Sequence, residues 1–390
     1  MNETRIMTIG EVCATISDTY RAKADEVTLI NTSDVLEGKV LNHERVPNKE
    51  LKGQFKKTFK KNDILYSEIR PQNKRFAFVD FDPVDYIAST KLMVLRADTS
   101  KVLPMYLYYY LKSAPVIAEL QMLAETRSGT FPQITFTELS NLTIPVPSIA
   151  EQEAIVATIK CMEDRIDCNT KINDNLYEMV NAYYTSLFKD VECEMTTIGN
   201  YAERIYSGGT PTTSNAAYWD GAFGWFSSGE TRNRFVISTE KTITQAGIDN
   251  SSTKLAAKHD IVMASAGQGF TRGQTSMLLI DTYVNQSVIV IHTERKVLPY
   301  LFWNLANRYE ELRAISDSSS IRGSLTTKMI AAFEIPLANE ESLQAFADFS
   351  WSVIPQIENN LLENERLAAL RDTLLPKLMS GEIDVSNIQL

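Results

Sequence analysis

The chain has 390 residues, 44% hydrophobic and 23% charged, which fits a soluble globular protein of two or three domains. No apolar run approaches the roughly 18 residues of a membrane span, no basic-then-apolar leader opens the chain, and four cysteines without a Cys-x-x-Cys exclude a disulfide framework or zinc site, so a cytoplasmic protein is expected. The net charge of −10 is carried by residues 148–190 (4 basic, 8 acidic) and 339–390 (3 basic, 9 acidic), whereas residues 1–147 (19 and 18) and 191–338 (13 and 14) are near neutral, so the average does not exclude DNA binding.

In chain order, the first block opens on Thr8-Ile9-Gly10. Lys49, Lys52, Lys56, Lys57, Lys60 and Lys61 then fall within thirteen residues that hold one acid, Glu50. Such a cluster suits phosphate contacts; on charge alone a solvated surface accounts for it equally well. Lys61-Asn62-Asp63-Ile64-Leu65 leads into a strand, and a basic, polar loop follows, Arg70-Pro71-Gln72-Asn73-Lys74-Arg75. Phe76-Ala77-Phe78-Val79 reads as a second strand, residues 104–112 as a helix, and Arg127-Ser128-Gly129 as a further loop. Ile144-Pro145 closes the block, since proline and its predecessor disfavour continuing a helix.

A long helix comes next, opened by a capping box, Ser148-Ile149-Ala150-Glu151. Ile155, Ile159, Met162, Ile166, Asn169, Asn173, Leu176, Val180, Tyr183 and Leu187 step by alternating four and three, a heptad seam.

The second block repeats the plan. Thr197-Ile198-Gly199, Lys258-His259-Asp260-Ile261-Val262, Val297-Leu298-Pro299-Tyr300-Leu301 and Ile335-Pro336 match their first-block counterparts at offsets of 189, 197, 195 and 191. The loop after its Asp-Ile strand runs from Gly267 to Gln274 and contains Gln268 and Arg272; a later one reads Ser320-Ile321-Arg322-Gly323. Val288-Ile289-Val290-Ile291 is a strand and residues 299–312 a helix. Adding 191 to the first seam gives Phe346, Ser350, Val353, Ile357, Asn360, Asn364, Leu367, Arg371, Leu374 and Leu378, weakened by Ser350 and Arg371 but with both asparagines in register. Pro355 should kink this second helix or delay its regular start. Either the two helices pair with each other, which the matched seams favour, or each docks on its own domain.

Chemistry of catalysis is missing from the pattern. There is no phosphate-binding G-x-x-x-x-G-K-[ST] loop and no H-E-x-x-H; the loop from Gly267 has the wrong spacing for a dinucleotide fingerprint. No adenine-methylase signature of Asn-Pro-Pro-aromatic type occurs. His43, His259 and His292 are scattered. Arg, Lys, Asn and Gln in loops are the side chains that read guanine and adenine edges, so the candidate DNA contacts are Lys56, Lys57, Lys60, Lys61, Arg70, Gln72, Asn73, Lys74, Arg75, Arg127, Arg232, Arg234, Gln268, Arg272 and Arg322. For any one of them an ordinary exposed loop is the simpler reading. No metal ligand is expected.

Taken with Asp63-Ile64-Leu65-Tyr66-Ser67, Ile144-Pro145-Val146-Pro147-Ser148-Ile149-Ala150-Glu151-Gln152, Ser207-Gly208-Gly209-Thr210-Pro211 with Tyr218-Trp219 and Trp225, and the tail Leu374-Leu375-Pro376-Lys377-Leu378-Met379-Ser380-Gly381-Glu382-Ile383, the chain resembles the specificity subunit of a type I restriction–modification system over nearly its whole length. The resemblance implies α/β (α+β) target-recognition domains in two pseudo-repeated copies, residues 1–147 and 191–338, separated by two long antiparallel coiled-coil helices, residues 148–190 and 339–390. It implies no catalytic activity and no cofactor of its own. Two modification subunits would bind S-adenosylmethionine, and restriction subunits joined through them would use ATP and magnesium. Each domain would read one half of a split, asymmetric site in double-stranded DNA. A stand-alone DNA methylase or nuclease, and a coiled-coil scaffold without a methylase, are the alternatives; a reaction by the purified chain, or its failure to co-purify with a methylase, would point to them. Antiparallel helices would pair Asn169 with Asn364 and Asn173 with Asn360 as a register lock.

Overall fold

The first strand, Arg5–Thr8, pairs antiparallel with Thr143–Val146, so the two ends of the first block meet, with Ile6 opposite Pro145. The second block does the same with Met195–Thr197 and Glu334–Pro336. A tyrosine buttons each ribbon to the helix beneath it: Tyr106 Oη donates to Pro145 O at 2.8 Å and Tyr300 Oη to Pro336 O at 2.5 Å. The repeated Ile-Pro and Tyr-Leu pairs in the sequence are the two sides of this contact. The computed structural model describes residues 4–49, 53–127, 130–188, 194–267, 270–318 and 323–383.

Between its ribbon strands each block builds two larger sheets, and the first block adds a two-stranded one, Val35–Leu36 with Lys39–Val40. In the first block an antiparallel sheet has the order Cys13–Ile16, Leu92–Ala97, Ile64–Ser67, Phe76–Phe78. In the second block the order is Ala202–Ser207, Val288–Thr293, Ile261–Ala264, Thr275–Leu278, with Phe235–Val236 added in parallel at the edge. The Asp-Ile strands are central and buried along their whole length, as continuous apolar runs covered on both faces must be. The other sheet runs Val46–Pro47, Glu26–Ile30, Tyr86–Ser89, Phe55–Lys57 in the first block. Lys241–Ile243, Trp219–Phe226, Thr282–Val284 and Lys254–Ala256 form it in the second. In both, only the middle pair is parallel. The sequence repeat is therefore a repeat of strand order and strand sense.

Helices Pro104–Leu111 and Leu298–Asn307 each begin with proline in the first turn, where its missing N–H costs nothing. The sequence reading expected one helix of 299–312; the structure breaks it at Arg308, whose φ of −111° and ψ of 26° are not helical. A second helix follows in each block, Ala114–Arg127 and Tyr309–Ser318. In Ala114–Arg127 only Val116, Ile117, Leu120, Gln121 and Ala124 are buried.

Two long helices separate and follow the blocks, Ile149–Phe188 of 40 residues and Glu340–Ser380 of 41. Ser148 and Glu151 form the expected capping box, with Ser148 N donating to Glu151 Oε2 at 2.9 Å. Asn339 Oδ1 caps the second helix by accepting from Ser342 N at 2.8 Å. Pro355 does not delay that helix, which runs unbroken from Glu340. Its neighbours Val353, Ile354 and Ile357 are buried while Pro355 is exposed, so core packing outweighs the lost backbone bond.

The chain folds as two compact units, Met1–Ile166 with Arg366–Leu390, and Asp167–Glu365. Each unit is one block with half of each long helix. In the first unit Ile155 and Ile159 share a core with Leu375 and Leu378. In the second, Val180, Tyr184 and Phe188 share one with Phe346, Val353 and Ile357. The start of one helix thus meets the end of the other in both units, which is antiparallel pairing. Both seams face inward throughout: none of their residues is exposed, Ser350 and Arg371 included. Among the described residues no helix is long and apolar enough to cross a membrane.

Candidate nucleic-acid interface

Each Asp-Ile strand begins at a buried aspartate that closes the turn before it. Asp63 Oδ2 accepts from Lys60 N at 2.7 Å and Asp260 Oδ2 from Ala257 N at 2.9 Å. Each is then held by a cation or ring at the same place in the neighbouring strand. Arg96 makes a bidentate pair with Asp63 at 2.7 and 2.6 Å, and His292 Nδ1 lies 2.5 Å from Asp260 Oδ1. These pairs orient the turns that lead into the strands; the signal for them was the repeated Lys-x-Asp-Ile, but not its partner.

The lysine cluster divides along the pleat. Lys56 points outward from the edge strand Phe55–Lys57 and is exposed. Lys57 points inward, donating to Thr90 O at 3.0 Å and Leu92 O at 2.8 Å. Its burial lowers the ammonium pKa from the ordinary lysine value. Lys60 and Lys61 are exposed on the turn that Asp63 closes, where Asn62 takes a φ of 71°. Among the described residues no ion pair engages Lys56, Lys60 or Lys61. Lys49 is exposed too, and Lys52 lies outside the described residues.

The loop of residues 70–75 is a short turn of 3-10 helix, Pro71–Asn73, bracketed by Arg70 and Lys74 in left-handed conformation. Arg70 is exposed, and its amide donates to Pro132 O at 3.1 Å. Gln72 and Asn73 are exposed beside it. Lys74 meets Glu37 at 3.1 Å on the surface. Arg75 is turned to the backbone, donating to Ser33 O at 2.9 Å. Arg127 pairs with Glu138 at 2.7 Å.

In the second block Arg232 donates to Gly229 O at 2.8 Å and pairs with Glu240. Arg234 lies 4.2 Å above the Tyr177 ring and 3.5 Å from Asp174, both on the first long helix. Arg272 donates to Gly323 O at 2.8 Å and pairs with Asp317, its side chain largely buried. Gln268 and Arg322 lie outside the described residues.

The structure brings the two matched loops of each block together. Ile134 N donates to Glu68 O at 2.9 Å in the first block, and Leu325 N to Ser265 O at 2.8 Å in the second. Each block therefore offers one composite surface built from two loops whose sequences differ between blocks. Among the described residues no cluster of His, Cys, Asp or Glu has the make-up of a metal site.

On the seam, Asn169 Nδ2 donates to Asn364 Oδ1 at 3.0 Å, and Asn360 Nδ2 to Asn173 Oδ1 at 2.8 Å, the two pairs that antiparallel seams imply. Further bonds surround them: Asn169 to Glu363 at 2.7 Å, Asn173 to Ile357 O at 3.3 Å, and Gln356 to Asn360 at 2.8 Å.

Residues 1–178 and 191–366 each match the family described as type I restriction modification DNA specificity domain. The specificity subunit of the type I restriction enzyme HindI, from Haemophilus influenzae, is 28% identical over 98% of this chain and 100% of its own length. The EcoR124I/EcoR124II specificity subunit of Escherichia coli is 26% identical over 73% of this chain and 70% of its own. In fold, the chain is similar to the S subunit of a type I restriction–modification system from M. genitalium, with a TM-score of 0.60 at 18% identity over 97% of both chains.

Proposed function

Because this chain belongs to the type I restriction–modification DNA specificity family, we propose that its two blocks each read one half of a split, asymmetric DNA target. As a specificity subunit it recognises DNA within the complex and is not itself catalytic; the cofactors are bound by the modification and restriction subunits. The reading domains are residues 1–147 and 191–338, and residues 148–190 and 339–390, which hold the helices Ile149–Phe188 and Glu340–Ser380, are the spacer segments that dock two modification subunits. Restriction subunits join through these, and the assembly works in the cytoplasm.

The observation that carries this reading is the duplicated strand order with loops of unlike sequence at like places. Two equal scaffolds holding different loops suit two unlike half-targets. Lys56, Lys60 and Lys61 supply phosphate contacts, which position without specifying, while Arg70, Gln72 and Asn73 reach base edges. Gln268 and Arg322 play that part in the second domain. Lys57, Arg75, Arg234 and Arg272 are engaged within the protein, so their contribution is to shape the loops. Lys74, Arg127 and Arg232 sit in surface ion pairs that DNA phosphate competes for. The test is to replace residues 1–147 by the corresponding part of another family member and map methylated sites in the host genome. One half of the target should change and the other persist; a change in both halves or in neither refutes the reading.

A further inference from the structure

The two composite surfaces hold out different chemistry. In the first block the exposed groups on the loop after the Asp-Ile strand are polar, Arg70, Gln72, Asn73 and Lys74. In the second Phe270 is 85% exposed, the most exposed large hydrophobic side chain among the described residues. Its backbone is anchored. Tyr309 Oη donates to Phe270 O at 2.6 Å, Gly273 N donates to Ala264 O at 2.9 Å, and Gln274 N to Thr271 O at 2.8 Å. Gly273 turns the chain at a φ of +86°, a conformation that a Cβ would strain. Arg272, two residues from the ring, ties the loop to Gly323 O and Asp317. The ring therefore stays in water because the loop is built to keep it there.

We infer that Phe270 is a specificity-determining residue of the second reading domain and that it takes the C5-methyl group of a thymine. This rests on the reading of residues 191–338 as a DNA reader. A phenyl ring neither donates nor accepts a hydrogen bond, so any N7, O6, N6 or N4 group it covered would be left unpaired at a cost. In the major groove the thymine methyl is the one apolar group that base edges present. Ring against methyl selects an A·T pair at one position and leaves the others to polar side chains.

The experiment uses the chain assembled with its modification subunit and duplexes carrying the mapped target. Each thymine of the second half-target is replaced in turn by deoxyuridine, which removes only the methyl. One replacement should weaken binding by about fourfold, the effect of burying one fewer carbon. Phe270→Ala should weaken binding to the unmodified target by a similar factor and become indifferent to that replacement, whereas Phe270→Leu keeps the sensitivity. Thermal melts of both variants should match the parent, since the side chain packs against little. Indifference of the parent complex to every deoxyuridine overturns the inference while leaving the reading domain intact. So does an Ala variant that binds every sequence more weakly, or one that loses affinity for the modification subunit, which would make Phe270 a protein contact. A parent complex with no second half-target at all would instead overturn the reading of this block.

Discussion

Lys56 and Lys57 are neighbours in one strand, and the pleat sends their ammonium groups to opposite faces. Charge counting treats them alike; the structure leaves Lys56 in solvent and gives Lys57 to two carbonyl oxygens. Replacing Lys56, Lys60 and Lys61 by alanine should therefore lower the salt slope of DNA binding by about 0.9 for each phosphate no longer neutralised, for cognate and random DNA alike. An unchanged slope would show them to be solvated surface. Lys57→Met should leave the slope alone and alter the pH dependence of stability. Burial sets the folded pKa below the ordinary 10.5, so the unfolded state binds more protons in that interval. The penalty is complete at lower pH and fades as pH rises towards 10.5. Denaturant titrations taken at rising pH towards 10.5 should show a gain that the Met variant lacks. Arg234 is another of the reassigned residues: a double-mutant cycle with Asp174 should give a coupling of only about 0.2–1 kcal/mol, since the pair is exposed, with no change in salt slope.

The long helices carry polar groups at the centre of an apolar seam. Asn169 is 1% exposed and Asn360 4%, and each amide finds its partner only in one register. A slip of one heptad moves the helices by about 10 Å, about three base pairs, and leaves buried amides unpaired at about 1–3 kcal/mol each. We propose that the four asparagines are a register lock. Replacing Asn169, Asn173, Asn360 and Asn364 together by leucine should keep the helices folded, as circular dichroism would report. Methylated sites in the genome should then include spacers of more than one length; a spacer as strict as the parent's would remove the lock. Pro355 offers a separate check on the second helix. Pro355→Ala restores a donor to Trp351 O and should raise stability by about 1–3 kcal/mol in denaturant.

At the scale of the molecule, the functional halves and the compact units are cut differently. A boundary after residue 147 separates a reading domain from helix residues that share its core: Ile144 and Leu107 pack with Ile155, Ile159 and Leu378. Tyr109 also donates to Glu163 Oε2 at 2.9 Å, and Lys112 pairs with the same carboxylate. Exchanging residues 1–147 should change one half-target but lower thermal stability when the donor's core differs. Exchanging Met1–Ile166 together with Arg366–Leu390, the whole unit, should make the same change in specificity with the stability restored. Equal melting temperatures for the two exchanges would mean that the helix contacts are interchangeable.

Much of this architecture is decided within short stretches of chain. The capping box at Ser148, the heptad seams and the repeated Lys-x-Asp-Ile, Tyr-Leu and Ile-Pro motifs are local patterns of burial and backbone satisfaction. They announce two like blocks, two pairing helices and the family before any contact is known. What depended on the tertiary structure is the use of each polar side chain. Arg234 reads as a DNA contact until Tyr177, 57 residues earlier in the chain, is folded beneath it. Arg272 reads the same way until Asp317 and Gly323 close on it, and nothing in the sequence singles out Phe270, which the loop holds in water. The helix Ala114–Arg127 was missed, and Tyr309–Ser318 was read only in part, as the end of a helix over 299–312. Periodicity records which face of an element is buried, because burial repeats with the geometry of the backbone; a hydrogen bond to a distant residue leaves no period in the sequence.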